Sequence, residues 1–140
     1  YRLALKNSAK AMSKFSREKG KRGEREFAAI LREHGFDSAR RGVQFSGGPD
    51  SSDIFCEELP VHFEVKRMEK PNLAAAYKQA SADSHISREP AVVVRRSNEP
   101  WMVYAAASHY LGMWQQILRL RSERDALAIA LEKTKHKNEK

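Results

Sequence analysis

The sequence predicts an α/β protein: a mixed β-sheet flanked by helices, in the order αβββαββ with a further C-terminal helix. Three observations predict it. Residues 61–66 alternate strictly, with Val61, Phe63 and Val65 toward one side and His62, Glu64 and Lys66 toward the other. Two β-branched and aromatic runs, 91–96 and 101–105, flank the turn Ser97-Asn98-Glu99-Pro100 and read as a hairpin. Segments of helical period precede, separate and follow these strands.

The elements follow in order. Residues 1–16 are basic and lack a long apolar period, which predicts a frayed helix or mobile arm. From about Lys21 to His34 the pattern is helical: Phe27, Ile30 and Leu31 share a face, and Gly35 marks the stop. Residues 36–41 predict a short strand, and the Gly- and Pro-rich run 42–50 a loop. Residues 53–66 read as a tight hairpin closed by Glu57-Glu58-Leu59-Pro60. Pro71-Asn72 opens a helix reaching about His85, with Leu73, Ala76, Tyr77 and Ala80 inward. The final helix spans about 108–133, where Arg121 and Asp125 are spaced to pair across one turn and the apolar spacing keeps no clean heptad. The division expected is an arm at 1–16, a core at 17–106, and a helix with a basic tail at 107–140.

Composition narrows the function. The chain has 140 residues, 41% of them hydrophobic, enough for one modest core. No stretch approaches the roughly eighteen apolar residues of a membrane span, so no membrane partner is expected. The lone cysteine, Cys56, forms no internal disulfide, which predicts a cytoplasmic setting. The formal charge of +8 favours a polyanionic partner, nucleic acid first.

The chemistry concentrates at Asp53, Glu64 and Lys66. Two carboxylates and an ammonium at one edge of a sheet suit a hard cation beside a phosphate. Asp53 and Glu64 supply oxygen ligands of the kind Mg²⁺ takes, and the Val65 carbonyl can add another. Lys66 returns to the face of Glu64, where it can orient a water or offset charge on phosphoryl oxygens. The competing reading is a cross-strand Glu–Lys pair on a solvated face. Asp50 is the alternative to Asp53, which is preferred because it directly precedes an apolar strand. Glu24 lies on or beside the buried side of the first helix, with Glu26 expected to turn away. Glu24 reads either as a favourable charge near a helix N-terminus or as a third acid of the site.

Lys19-Gly20-Lys21-Arg22-Gly23-Glu24-Arg25-Glu26-Phe27, then Gly35-Phe36, Ser52-Asp53-Ile54 and Phe63-Glu64-Val65-Lys66, resemble the motif series of the PD-(D/E)XK nucleases. More closely, they resemble the small Holliday-junction resolvases of archaea and the related enzymes of phages, over about residues 17–106. The resemblance implies a restriction-endonuclease-like fold and Glu24, Asp53, Glu64 and Lys66 as the catalytic set. It implies Mg²⁺ (or Mn²⁺) held by Asp53, Glu64, Glu24 and the Val65 carbonyl. It also implies a homodimer that cuts four-way DNA junctions in a prokaryotic or phage-infected cell. Ser46 resembles the serine such enzymes place ahead of the Asp, and Gln79 the polar residue many project toward the site. A repair or restriction-type nuclease on other branched or nicked DNA, or a non-catalytic DNA-binding module, are the alternatives. Candidate phosphate contacts are Arg17, Lys19, Lys21, Arg22, Arg40, Arg41, Arg67 and Lys70, which would position the backbone without reading sequence.

Overall fold

The computed structural model describes residues 2–42 and 52–138. Its elements run α1 (Arg2–Glu33), β1 (Arg40–Arg41), β2 (Ile54–Phe55), β3 (Val61–Arg67), α2 (Leu73–Asp83), β4 (Glu89–Arg95), β5 (Met102–Tyr104) and α3 (Ala107–Asn138). The five strands form one mixed sheet in the order β1-β2-β3-β4-β5. All pairs are antiparallel except β3 with β4, which α2 joins as a crossover. The architecture is α/β, as the periodicities predict.

Of the two readings of residues 1–16, the structure takes the helical one: α1 begins at Arg2 and is continuous to Glu33. Residues 2–22 are rich in Ala, Leu, Lys and Arg, good helix formers that need no buried stripe. Accordingly Met12 and Phe15 stay exposed, and the helix gains its packing only where Phe27, Ala28 and Leu31 enter the core. It ends in a Schellman motif. The Phe36 amide donates to the Leu31 carbonyl and the Gly35 amide to that of Arg32, each at 3.0 Å. Gly35 at φ 88° takes the left-handed conformation this cap requires.

The strand expected over 36–41 shrinks to Arg40–Arg41, because Phe36 is used by the cap and Ala39 by the core. The hairpin expected over 53–66 keeps only two paired residues on its first arm. Strand β3 is longer, and Phe63, Val65, Ala91 and Val93 form the core with α1. The Phe27 ring meets Phe63 at 5.4 Å and Trp101 at 5.3 Å between centroids. Helix α2 is capped by Asn72, whose side chain accepts from the Ala75 amide at 3.0 Å. Its inward face is Ala76 and Ala80. The turn before β5 holds Asn98 at φ 60°, which asparagine tolerates.

Residues 1–105 form one compact unit and residues 106–140 a second. The second unit is α3. Its pairs are Arg119 with Glu123 at 2.9 Å and Arg124 with Asp125 at 2.7 Å, in place of the Arg121–Asp125 pair expected from spacing. Tyr110, Met113, Ile117, Leu120, Leu127 and Leu131 are all exposed on it. No helix among the described residues is long and apolar enough to cross a membrane.

Candidate active site

The end of β2 and the middle of β3 build the site. Ile54 pairs with Phe63, and the Asp53 amide also donates to the Phe63 carbonyl at 3.0 Å. Two residues of one strand therefore oppose one of the other, a bulge-like bend of the kind that re-aims a side chain. The bend turns the Asp53 carboxylate along β3, where its Oδ2 accepts from the Val65 amide at 2.8 Å. In a strand the amide and carbonyl of one residue project to the same side. The Val65 carbonyl consequently faces the Asp53 side of β3, where a carbonyl ligand would have to be.

Glu64 is buried, 7% exposed, and its Oε1 accepts from Lys66 Nζ at 2.6 Å. The pair lies on the strand face opposite Phe63 and Val65, as the alternation predicts. It is not a solvated surface pair, since the Glu64 side chain is 10% exposed and that of Lys66 28%. Glu24, from α1, is ion-paired with Arg41 of β1 and is itself largely covered. The structure thus brings four of the expected residues into one electrostatic neighbourhood. Burial above all, then the Glu64 carboxylate and Glu24, raise the Asp53 carboxyl to about 7. The Val65 amide and Lys66 oppose the rise without cancelling it.

Backbone closeness holds Asp53 in place. The Gly42 amide donates to the Asp53 carbonyl at 2.8 Å, and a Cβ on Gly42 would run into the Ser52 carbonyl oxygen. Gly42 is a positioning residue that sequence reading left as generic loop. Ser52 adds a hydroxyl bonded to the Ile54 carbonyl. Ser46 and Asp50 lie outside the described residues.

The other expected residues are placed less uniformly. Lys21 pairs with Glu18 at 3.3 Å on the exposed start of the core-facing part of α1. Arg17 bonds the Ser13 carbonyl at 3.2 Å. Lys19 and Arg22 line a groove with Phe15, Glu18, Arg25 and Arg67. Arg40 stacks on Phe55, with its guanidinium 4.2 Å from the ring centroid. Lys70 is exposed beyond β3, and Gln79 is exposed on α2 outside the buried stripe.

One expectation is corrected by Glu26. Rather than turning away, it accepts from Arg67 at 3.0 Å, from Arg95 at 3.4 Å and from Arg22 at 2.9 Å. Arg67 and Arg95 are register partners on the parallel strands β3 and β4, so one carboxylate serves both. Burial raises the Glu26 carboxyl, but the Arg22 and Arg67 guanidiniums outweigh it and the net shift is downward. Arg67, a candidate phosphate contact, is ion-paired to Glu26 and partly exposed. No spacing rule joins residue 26 to 67 and 95; only the packing of α1 on β3 does. Gly23 permits that packing, since a Cβ there would lie 2.9 Å from that of Arg67.

Comparison with protein-family models, with curated proteins and with solved structures found no match. The chemistry of the site therefore rests on its own geometry. Among the described residues no three Asp, Glu, His or Cys groups already close around one point. The donor set nonetheless fits a hard divalent cation: oxygen donors, an Asp53 carboxyl that burial and neighbouring carboxylates hold near 7, and a carbonyl on the same side.

Proposed function

We propose that this protein is a Mg²⁺-dependent structure-selective DNA endonuclease of the PD-(D/E)XK kind, acting on four-way junctions as a homodimer. One observation carries the reading. Asp53, Glu64 and Lys66 stand together at a strand bend, with Asp53 driven to about 7 by burial and neighbouring carboxylates. Such crowding has no packing benefit. It is relieved by a cation, and Mn²⁺ meets the same oxygen donors.

When bound, the metal would polarise a phosphodiester and lower the pKa of its attacking water. The chain's residues then have separate tasks. Asp53, Glu64 and the Val65 carbonyl hold the cation, with Glu24 assisting from across the site. The Val65 amide orients Asp53, and Arg41 orients Glu24. Lys66 places its ammonium beside the phosphoryl oxygens and stabilises the charge that grows there. The water oxygen bonds to phosphorus, the bond to the leaving sugar oxygen breaks, and the proton ends on that oxygen. Basic groups on α1 and at Arg40 and Lys70 meet the backbone, which suits recognition of shape. The dimer is supported by the exposed apolar residues Tyr110, Met113, Ile117 and Leu120 of α3, spaced at three and four.

The test is a labelled four-way junction incubated with the full chain, with and without Mg²⁺, alongside a flap and linear duplex. Paired symmetric cuts on the junction that need Mg²⁺ support the reading. Lys66→Ala and Asp53→Asn should bind the junction normally and leave it uncut. Full cleavage by either variant, or no metal-dependent cutting of any DNA by the wild type, refutes it.

A further inference from the structure

Two residues along β3 from Glu64 lies a cavity of about 270 Å³, lined by Arg40, Gly42, Ser52, Ile54, Phe55, His62 and Arg88. Two arginines from different parts of the chain converge on it. The Arg40 guanidinium sits 4.2 Å from the Phe55 ring centroid and that of Arg88 5.9 Å from it. Phe55 therefore acts as a shared platform that gathers two cations against their mutual repulsion. Among the described residues the lining carries no carboxylate to neutralise them. Its other polar contributors are an imidazole, a hydroxyl and backbone.

We infer that the Arg40–Phe55–Arg88 cavity is a second phosphate site, gripping the phosphodiester next to the one that is cut. The inference rests on the nuclease reading for the identity of the strand, and on the cavity for the grip. Position argues for a neighbouring phosphate. Ser52 and Ile54 line the cavity and flank Asp53, so the two sites share a wall. His62 and Glu64 are two strand residues apart, roughly 6.7 Å, a separation that one nucleotide step can span. Chemistry argues for phosphate. Guanidinium forks bind phosphate oxygens through paired N–H groups, and stacking on an aromatic ring leaves their edges free to do so. A strand held at two successive phosphates is fixed in direction as well as position, so that the cut bond lies in line with the attacking water.

The experiment compares the full wild-type chain with an Arg40→Gln/Arg88→Gln double variant. Junction binding is measured in Ca²⁺, which supports no turnover in a Mg²⁺-type site. Losing one gripped phosphate should weaken binding roughly 10- to 100-fold. The slope of log affinity against log salt should become shallower by about 1. Arg119→Gln/Arg121→Gln, an equal change of charge on α3, should leave that slope as it is. A single methylphosphonate linkage, neutral but near-isosteric, is then walked through the strand on either side of the mapped cut. At one neighbouring position it should weaken the wild type and have no further effect on the double variant. An unchanged slope in a folded double variant, or no position whose effect depends on the arginines, overturns the inference. Should the wild type bind but never cut, the nuclease reading falls. The same walk across the bound site then still decides whether the cavity holds a phosphate.

Discussion

Replacing Asp53 by Asn should stabilise the metal-free protein at alkaline pH while abolishing its chemistry. The folded protein holds this carboxyl at about 7 against an ordinary 3.8. Below pH 4 both folded and unfolded chains carry the proton. Between about pH 4 and 7 the unfolded chain releases it and the folded chain retains it, so folding stability falls as pH rises. Above 7 the penalty is complete. Raising the carboxyl from 3.8 to about 7, at ~1.36 kcal/mol per pH unit, sets a ceiling near ~4 kcal/mol. Partial solvent contact of Asp53 lowers this to about 2 kcal/mol. Asn removes the charge, keeps a carbonyl oxygen for the Val65 amide, and offers an N–H toward the neighbouring carboxylates. For a domain of this size the gain corresponds to a rise of about 10 °C in melting midpoint. The assay is thermal or urea unfolding of wild type and Asp53→Asn in EDTA, at pH 4 and at pH 8.5. The difference should be small at pH 4 and large at 8.5. A variant no more stable than wild type at pH 8.5, or a gain of the same size at both values, would refute the electrostatic account of the site.

Other perturbations separate support from chemistry. Gly42→Ala should cost about 2–4 kcal/mol in urea unfolding and lose cleavage together with it, because its Cβ meets the Ser52 carbonyl and displaces Asp53. Glu26→Ala should lower stability by about 1–3 kcal/mol by leaving Arg22, Arg67 and Arg95 crowded without their acid. The same variant should bind DNA more tightly at low salt, since Arg67 and Arg95 become available; unchanged binding would place them away from the DNA. Ile117→Glu with Leu120→Glu should convert a dimer to monomer in sedimentation experiments without lowering the melting midpoint of residues 1–105, if α3 is the contact between copies.

What could be read from the chain depended on whether a residue's role was local. The alternation of β3, the Asn72 cap, the Gly35 stop and the hairpin around Asn98 follow from dihedral preferences and periods within a few residues, and they stand as read. The start of α1 was left open between a frayed helix and an arm because residues 2–20 carry no long apolar stripe to decide it. Glu26 was misjudged for the opposite reason. Its direction on the helix follows the apolar residues, but its partners are the long side chains at the ends of two parallel strands. Those reach a half-covered carboxylate that a helical wheel leaves in solvent. The bend at Asp53 and the close approach at Gly42 are likewise properties of strand pairing. Gly-rich composition showed that a special backbone was needed near 42 without showing which atom would collide.

The choice between a structural ion cluster and a catalytic one turns on how each acid is held. Glu24 is met by Arg41, Glu64 by Lys66, and Glu26 by three arginines. Asp53 takes its hydrogen bond from the neutral amide of Val65 and sits where Glu64 and Glu24 both oppose its ionisation. A cluster serving stability alone would match Asp53 with a cation, as it does Glu26, only two residues along α1 from Glu24. Here the charge deficit is left at the strand bend, next to a lysine whose present partner is one of the carboxylates that a cation would engage. Supplying positive charge at that point neutralises Asp53, loosens the hold of Glu64 on Lys66, and leaves the ammonium free to face an incoming phosphate. A structural pair gains nothing from that arrangement, whereas the proposed phosphodiesterase would use both halves of it.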